Sequence, residues 1–509
     1  MCLVHGIKKE NSDKNRASNR GLPRIPMHSQ LFHTGFMIPI PMPKFDSKVQ
    51  IDAPRDYVFS WHVGRCAFDR LVPPWEQVVV VRKEGGIENG TVTLKTRAAP
   101  LFWFQAKARH SQFVQNEQFY DEMSGGPFSK WQHTHRFLKK GDNSTLLHDE
   151  VVYRLRGGWL GNWLGGGYAH GKLEQLFAYR REVTRSDTQD HFQFASSGTR
   201  TIAVSGANGL IGSRLCSFLD GGGHRIIKLK RFDTDQFEGP GWNPDTGKIS
   251  FGEAGESVDC LIHLAGHGIA ENRWNDRVKQ LIRSSRCEAT EKLCDYLGRH
   301  PGLVRESFVC ASATGFYGDR GDEILDESSA AGEGFLPETC LDWEAATRRV
   351  DALGLRRVNL RFGIILSLKG GALPKLVTPS RFFLGGRFGS GRQFWSWISL
   401  LDTLRAIHYS VMEPNLQGPV NLVAPEPVRQ SDFSRTLGKV LFRPSLGYAP
   451  GFLLKLVAGE MAGPLLLEGT RVRPKKLTDH GFHFVHNRLE DALRFELGKI
   501  RIENHDQDQ

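Results

Sequence analysis

At 509 residues, 39% of them hydrophobic and 24% charged, the chain is long enough for about two to four domains and too apolar for global disorder. Its formal net charge of +11 is spread along the sequence, not gathered into a basic helix, zinc finger or RNA-binding signature. That argues against a nucleic-acid partner and suits an anionic small molecule. No stretch reaches 18 uninterrupted apolar residues, so no membrane span is expected.

The first residues are basic: Lys8, Lys9, Lys14, Arg16, Arg20 and Arg24 face only Glu10 and Asp13. No apolar core follows them, so a secretory layout is not expected. Residues 1–43 read as a disordered tail ending in "MIPIPMPKF", within which Met27, Met37 and Met42 are alternative starts. The eight cysteines are scattered singly, without a CxxC. They read as reduced, mostly buried thiols of a cytoplasmic protein.

From residue 44 to 185 the pattern is one strand ("KFDSKVQIDA"), a short helix ("RDYVFSWH"), a run of six strands and a closing helix, "GKLEQLFAYRREVTR". That order predicts a curved antiparallel sheet gripping a helix. On one strand, Trp131, His133, His135 and Phe137 alternate and so share a face. Two histidines without a third ligand make a poor metal site, and no metal is expected. The polar stretch 186–198 reads as a linker.

A second unit, 199–420, opens on the apolar strand "TIAVSG" and the loop "GANGLIG". Gly206, Gly209 and Gly212 stand three apart, followed by a helix and a second strand, "HRIIKLKR". The first glycine permits the tight turn, the second lets backbone approach a pyrophosphate, and the third lets helix and strand pack closely. The helix N-terminus offers free N–H groups to phosphate. Strands "DCLIHLAG" and "ESFVCASATGFYG" end in small residues where a doubly wound sheet holds its ligand. The expected cofactor residues are therefore Gly206, Asn208, Gly209, Leu210, Ile211 and Gly212 in the loop, Lys230 and Arg231 after the second strand, and Leu264, Ala265 and Gly266 after the third. A guanidinium at that second strand end suits a 2′-phosphate, so NADP(H) is expected. Asp233 and Asp235 keep NAD as the alternative.

"SGANGLIG", "HLAG", "IRSSR", "GFYGDRGDE", "DWEAA", "LRFGIILS", "GSGRQFWSWISLLD" and "LLLEGTRVRPKKL" together resemble an extended short-chain dehydrogenase/reductase, more closely the atypical YfcH-like epimerase family. "FYDEMSGGPFSKWQHTHRF" and the closing helix resemble the START-like helix-grip (SRPBCC) superfamily. The resemblances imply a Rossmann-type α/β doubly wound parallel sheet with an α-rich C-terminal substrate region (421–498, before a tail at 499–509), preceded by an α+β domain holding a hydrophobic ligand. Ordinary members use a Tyr and a Lys four residues on as proton-transfer machinery. Here those positions fall at Cys340 and Glu344, with Ser312 beside the usual Ser position. The candidate catalytic residues are thus Ser312, Cys340 and Glu344. The alternatives are an inert helix thiol and a surface carboxylate paired with Arg348. By the same resemblance Arg387, Arg392, Gln393 and Trp395 face the substrate; the bland reading is a solvated loop. "DFSRTLGKVL" reads as a helix capped by Ser431, and "GFLLKLVAGEMAGPLLLEG" as a core helix pair. Two functions follow: an NADP(H)-dependent oxidoreductase or epimerase-like enzyme of unknown substrate, or a non-catalytic NADP(H) sensor.

Overall fold

Alternating buried and outward side chains along "KFDSKVQI" make Lys44–Ile51 (β1) a strand with one covered face. In the computed structural model, which describes residues 42–99, 102–252 and 257–500, this strand pairs antiparallel with Ser144–Leu155 (β7). Helices α1 (Arg55–Val63) and α2 (Ala67–Leu71) follow it. Then come Val78–Glu84 (β2), Thr91–Ala99 (β3), Phe102–Val114 (β4), Gln118–Gly125 (β5) and Phe128–Gly141 (β6). The seven strands form one sheet in the order β1-β7-β6-β5-β4-β3-β2. All but Met42 and Pro43 of the expected N-terminal tail, and all but Lys499 and Ile500 of the C-terminal one, lie outside the described residues.

The sheet closes on one long helix, α3, Gly158–Phe192. This corrects the expected linker: residues 186–192 continue the helix, and Ser186, Asp187, Thr188, Asp190 and His191 are buried. Their polarity is explained by partners. Arg70 of α2 donates two hydrogen bonds to Asp187, at 2.6 and 2.8 Å. Thr188 Oγ1 donates to the Thr184 carbonyl at 2.6 Å. His191 Nε2 donates to the Phe218 carbonyl at 3.0 Å. Buried polar groups hold when each finds such a partner.

Beyond α3 lie Thr201–Ser205 (β8), Leu210–Gly221 (α4), Arg225–Arg231 (β9), Pro240–Trp242 (β10), Ile249–Phe251 (β11) and Val258–His263 (β12). Asp276–Arg283 (α5) runs through a π-helical stretch, Ser284–Glu288, into Ala289–Arg299 (α6). Val304–Ala313 (β13), Phe335–Thr347 (α7), Arg356–Phe362 (β14), Leu400–Met412 (α8) and Gly418–Leu422 (β15) complete the frame. The eight strands are ordered β11-β10-β9-β8-β12-β13-β14-β15. All pairs are parallel except β10 with β11. Ile202, Ala203, Val204, Leu261 and Ile262 are fully buried, as unbroken apolar strands covered on both faces should be.

Two C-terminal expectations change. Helix Gln430–Leu441 is preceded by Arg429, so Ser431 lies in its first turn and does not cap it. Helix Gly451–Ala458 buries none of its residues; Phe452, Leu456 and Val457 stand 75%, 72% and 63% exposed, so this is no core helix. Among the described residues no helix is long and apolar enough to cross a membrane.

Candidate cofactor cleft and the site beside it

The turn from β8 to α4 leaves no room for a side chain at two of its glycines. Gly206 has φ +71°, and a Cβ there would lie 2.9 Å from the Leu264 carbonyl carbon. A Cβ on Gly212 would lie 2.2 Å from the Gly206 carbonyl oxygen. Gly209 precedes α4 in extended conformation, and its N–H donates to Gly206 at 2.9 Å. The side chain of Leu210 faces Gly370 and that of Ile211 packs into the core. These two residues, like Asn208, which is exposed, therefore offer backbone more than side chain to a ligand. Such a cradle fits a dinucleotide pyrophosphate.

Strand register places the second-strand basic residues at the same level. Ser205 pairs with Leu229, so Lys230 and Arg231 run level with Gly206 and Ala207. Both are exposed, and Arg231 makes only a 3.3 Å contact to the equally exposed Asp233. On the other side, Leu264 N–H donates to the Ser205 carbonyl at 3.2 Å, and Ala265 and Gly266 continue the cleft floor. Beneath it, Ser205 Oγ and His263 Nδ1 lie 2.7 Å apart. Burial pushes His263 down to about 4, so it is neutral.

Ser312, at the end of β13, donates to Glu344 Oε1 at 2.7 Å. The main partner of Glu344 is one that residue spacing did not point to. Arg361, on β14, clamps both Glu344 oxygens at 2.8 Å each and also donates to Tyr317 Oη at 2.9 Å. Tyr317 in turn donates to Asn421 at 2.7 Å. Its phenol is pushed up to about 12, burial outweighing the nearby guanidinium. Glu344 is therefore neither a surface charge nor a partner of Arg348. One signal was available: "RRVNLRF" puts an Arg inside a central strand, and a buried guanidinium demands a carboxylate.

Cys340 is 5% exposed and packs with Phe316, Tyr317 and Leu325. Burial, with Glu344 adding to it, pushes the thiol up to about 12. Of the two readings of Cys340, catalytic acid or inert helix thiol, this burial favours the second. Arg286 was also missed, although "IRSSR" contains it. It sits in the π-helical stretch, a feature frequent at functional sites. Its guanidinium lies against Gly266, where a Cβ would be 3.4 Å from Cζ, and 5.3 Å from the Trp343 ring centroid. No carboxylate pairs with it among the described residues, which leaves a cation at the cleft.

The expected substrate loop divides. Arg387 and Arg392 are exposed, Arg387 resting 4.9 Å from the Tyr448 ring. Gln393 and Trp395 are engaged with the protein itself. Gln393 Nε2 braces the Phe388 and Leu466 carbonyls at 3.2 and 2.7 Å. Trp395 is 5% exposed and packs edge-on to Phe433 at 5.2 Å.

In the N-terminal domain, His133 and His135 point inward, as their alternation requires, and meet Asp121 and Asp149. His133 Nε2 lies 3.1 Å from Asp149. His135 Nδ1 comes within 2.6 Å of the same oxygen, off the line of a hydrogen bond, and its Nε2 lies 3.4 Å from Asp121. Asp121 is the third candidate metal ligand, which the alternation of one strand could not reveal. Burial opposes charge on His135, but Asp149 and Asp121 outweigh it and hold the imidazole up at about 9. A protonated ring donates and does not ligate. His62, His135, Asp149, Arg180 and Thr184, with Leu71, Leu147 and Phe177, line a cavity of about 10 Å³.

Residues 202–339 match the NAD dependent epimerase/dehydratase family model, and residues 449–496 match a domain of unknown function. An epimerase family protein of Mycobacterium bovis, Mb2239, is 38% identical over 294 residues, 58% of this chain and 96% of that protein. The crystal structure of a nucleoside-diphosphate sugar epimerase from Corynebacterium glutamicum aligns over 91% of this chain and 92% of its own, with 29% identity and a TM-score of 0.72. The human epimerase family protein SDR39U1, solved with NADPH, aligns over 59% of this chain and all of its own, with 27% identity and a TM-score of 0.53.

Proposed function

The chain belongs to the epimerase family, NAD(P)-binding proteins with a Rossmann-like sheet, and we propose that it binds NADP(H) and presents it to a small anionic substrate. The observation that carries the cofactor is the glycine cradle, in which Gly206 and Gly212 leave no space for a Cβ, level with the exposed Lys230 and Arg231. The NADPH held by the human relative supports the phosphate-bearing nucleotide over NAD. When bound, the nicotinamide supplies hydride-transfer chemistry. Arg286, Arg387 and Arg392 are the groups that favour an anionic substrate.

The N-terminal sheet and α3 support a helix-grip, START-like layout. The residues around its cavity are charged or imidazole as much as apolar, and its volume of about 10 Å³ is that of a single water, so the cavity gives no support to the expected hydrophobic ligand. A second reading, NADP(H) sensing without turnover, draws on Ser312, Glu344 and Arg361 being saturated by one another and on the buried Cys340 thiol. NADPH consumption across a panel of aldehydes, ketones and nucleotide sugars separates the two.

Titration of NADPH and NADH into the wild-type chain and Arg231→Asp tests the cofactor. A bidentate phosphate contact to Arg is worth about 1.5–3 kcal/mol, so NADPH affinity is expected to fall roughly ten- to a hundredfold while NADH binding is little changed. Equal losses for both nucleotides would remove Arg231 from the 2′-phosphate site.

A further inference from the structure

The start of α3 carries an apolar face that covers nothing. Trp159, Leu160, Trp163, Leu164 and Tyr168 are 67%, 47%, 76%, 71% and 72% exposed, and their spacing sets them along one side of the helix. The opposite side is fixed to the end of β7. Asn162 Oδ1 accepts from Leu155 N–H at 3.0 Å, and a Cβ on Gly165 would lie 3.2 Å from the Leu155 side chain. The bulky face is thus held outward by a rigid attachment.

The sheet brings a second apolar group to the same end. Arg156 Nε donates to the Gly126 carbonyl at 2.8 Å, and Gly126 N–H donates to the Gln105 carbonyl at 3.2 Å. Phe102, Trp103 and Phe104, adjoining Gln105, are 67%, 41% and 36% exposed. Lys95 lies 5.3 Å from the Trp103 ring centroid. Charge at this end is mostly positive: residues 91–116, 123–141 and 151–173 contain no Asp or Glu, whereas Lys95, Lys130, Arg154 and Arg156 all belong to them, and Glu76, from outside these segments, meets Lys172 at 4.0 Å.

We propose that this lip is a peripheral docking surface for an anionic lipid bilayer. Trp and Tyr with an apolar body and a polar edge settle at the headgroup boundary, and neighbouring Lys and Arg meet the anionic lipids. A second copy of the chain fits less well. A two-fold contact would set Lys95, Arg154 and Arg156 against their own duplicates with no carboxylate to offset them. The contact proposed is peripheral, since no helix among the described residues is long and apolar enough to cross a membrane.

The test is flotation of the full chain with phosphatidylcholine vesicles, with and without phosphatidylglycerol, at low and high salt. Binding is expected only to the anionic vesicles and to weaken with salt. Trp159→Ser with Trp163→Ser should lower it by on the order of tenfold or more. Lys95→Gln with Arg154→Gln should lower it by about fivefold per charge. NADPH binding, unchanged in both variants, reports an intact fold. No binding, equal binding to both compositions, or binding untouched by either variant would overturn the proposal. So would a dimer in light scattering that Trp163→Ser dissolves while vesicles stay unbound.

Discussion

Glu344 and Arg361 show how far one residue's role depends on its neighbour. The Arg361 side chain is 3% exposed and that of Glu344 12%, so each charge survives burial only through the other. Placing the family's usual pair here by Cys340→Tyr and Glu344→Lys would set an ammonium beside the Arg361 guanidinium. It would also force a phenol into the packing of Phe316 and Leu325 around Cys340. Glu344→Lys alone is expected to destabilise by about 3–5 kcal/mol, the cost of leaving a buried charge without its partner. Adding Arg361→Met should recover much of that loss, because the like-charge contact goes. Chemical unfolding of the single and double variants checks it; a double variant no more stable than Glu344→Lys would mean that Arg361 is not the group that the introduced ammonium opposes. In the sequence, Cys340 and Glu344 were visible as departures from a pattern. What replaced the pattern was not, since Arg361 reaches Glu344 only through the pairing of β13 with β14 and the packing of α7 over them.

At the scale of an element, α3 was half legible. Leu173, Leu176, Phe177 and Arg180 carry the spacing that marks residues 171–185 as helical, and Leu173 and Phe177 are buried. The Gly165–Gly167 run hid its beginning and the polar run after Arg185 hid its end. Both signals are correlations with loops; Gly165 packs close to Leu155 while Gly166 and Gly167 face open space, and the polar residues have partners inside the fold. Strands were easier, because their alternation is local: all seven of the N-terminal sheet, and β8, β9, β12 and β13, overlap segments that read as strands, most of them running one to three residues past an expected end. The buried Arg70–Asp187 pair ties α2 to the end of α3. Asp187→Ala is expected to cost about 3–5 kcal/mol by stranding the guanidinium, whereas Arg70→Met with Asp187→Leu, which removes both charges, should cost far less. Equal losses in the two variants, measured by denaturant unfolding, would show that packing and not charge dominates there.

Across the whole molecule, the seam between the N-terminal sheet domain and the parallel-sheet domain is built from neutral histidines. Arg200 N–H donates to His224 Nδ1 at 3.0 Å, so His224 keeps its proton on Nε2 and donates it to His408 Nε2 at 3.2 Å. His408 Nδ1 then donates to Asp190 of α3 at 2.7 Å, with His191 packed edge-on at 4.6 Å and Arg405 contacting the same Asp190. This consistent proton order leaves no free lone pair on His224 for a metal, although the three rings are close enough to hold one. Burial pushes His224 and His408 each down to about 3, helped for His224 by His408 and for His408 by Arg405. Because their folded values lie below the unfolded 6.5, the unfolded chain binds more protons between pH 3 and 6.5, and stability is lost as pH falls through that range. Each histidine contributes up to about 1.4 kcal/mol per pH unit there. Glu496 carries the opposite slope. Burial, only partly offset by the Leu368 N–H and nearby cations, pushes its carboxyl up to about 8. It favours the fold while protonated and costs stability as pH rises from 4.5 to 8. His135, held up at about 9, adds to the loss above pH 6.5. Between 4.5 and 6.5 the two seam histidines, joined by His62, His133 and His263, which burial holds down at about 3, 4 and 4, outnumber Glu496, so stability rises with pH. Above 6.5 only the losses remain, which places the maximum near pH 6.5. The melting temperature measured across pH is expected to peak there, with Glu496→Gln flattening the alkaline side and His408→Gln, which keeps a donor for Asp190, flattening the acid side. A profile that rises steadily to pH 9, or an acid limb unchanged in His408→Gln, would show that the seam histidines do not set the acid stability of this fold.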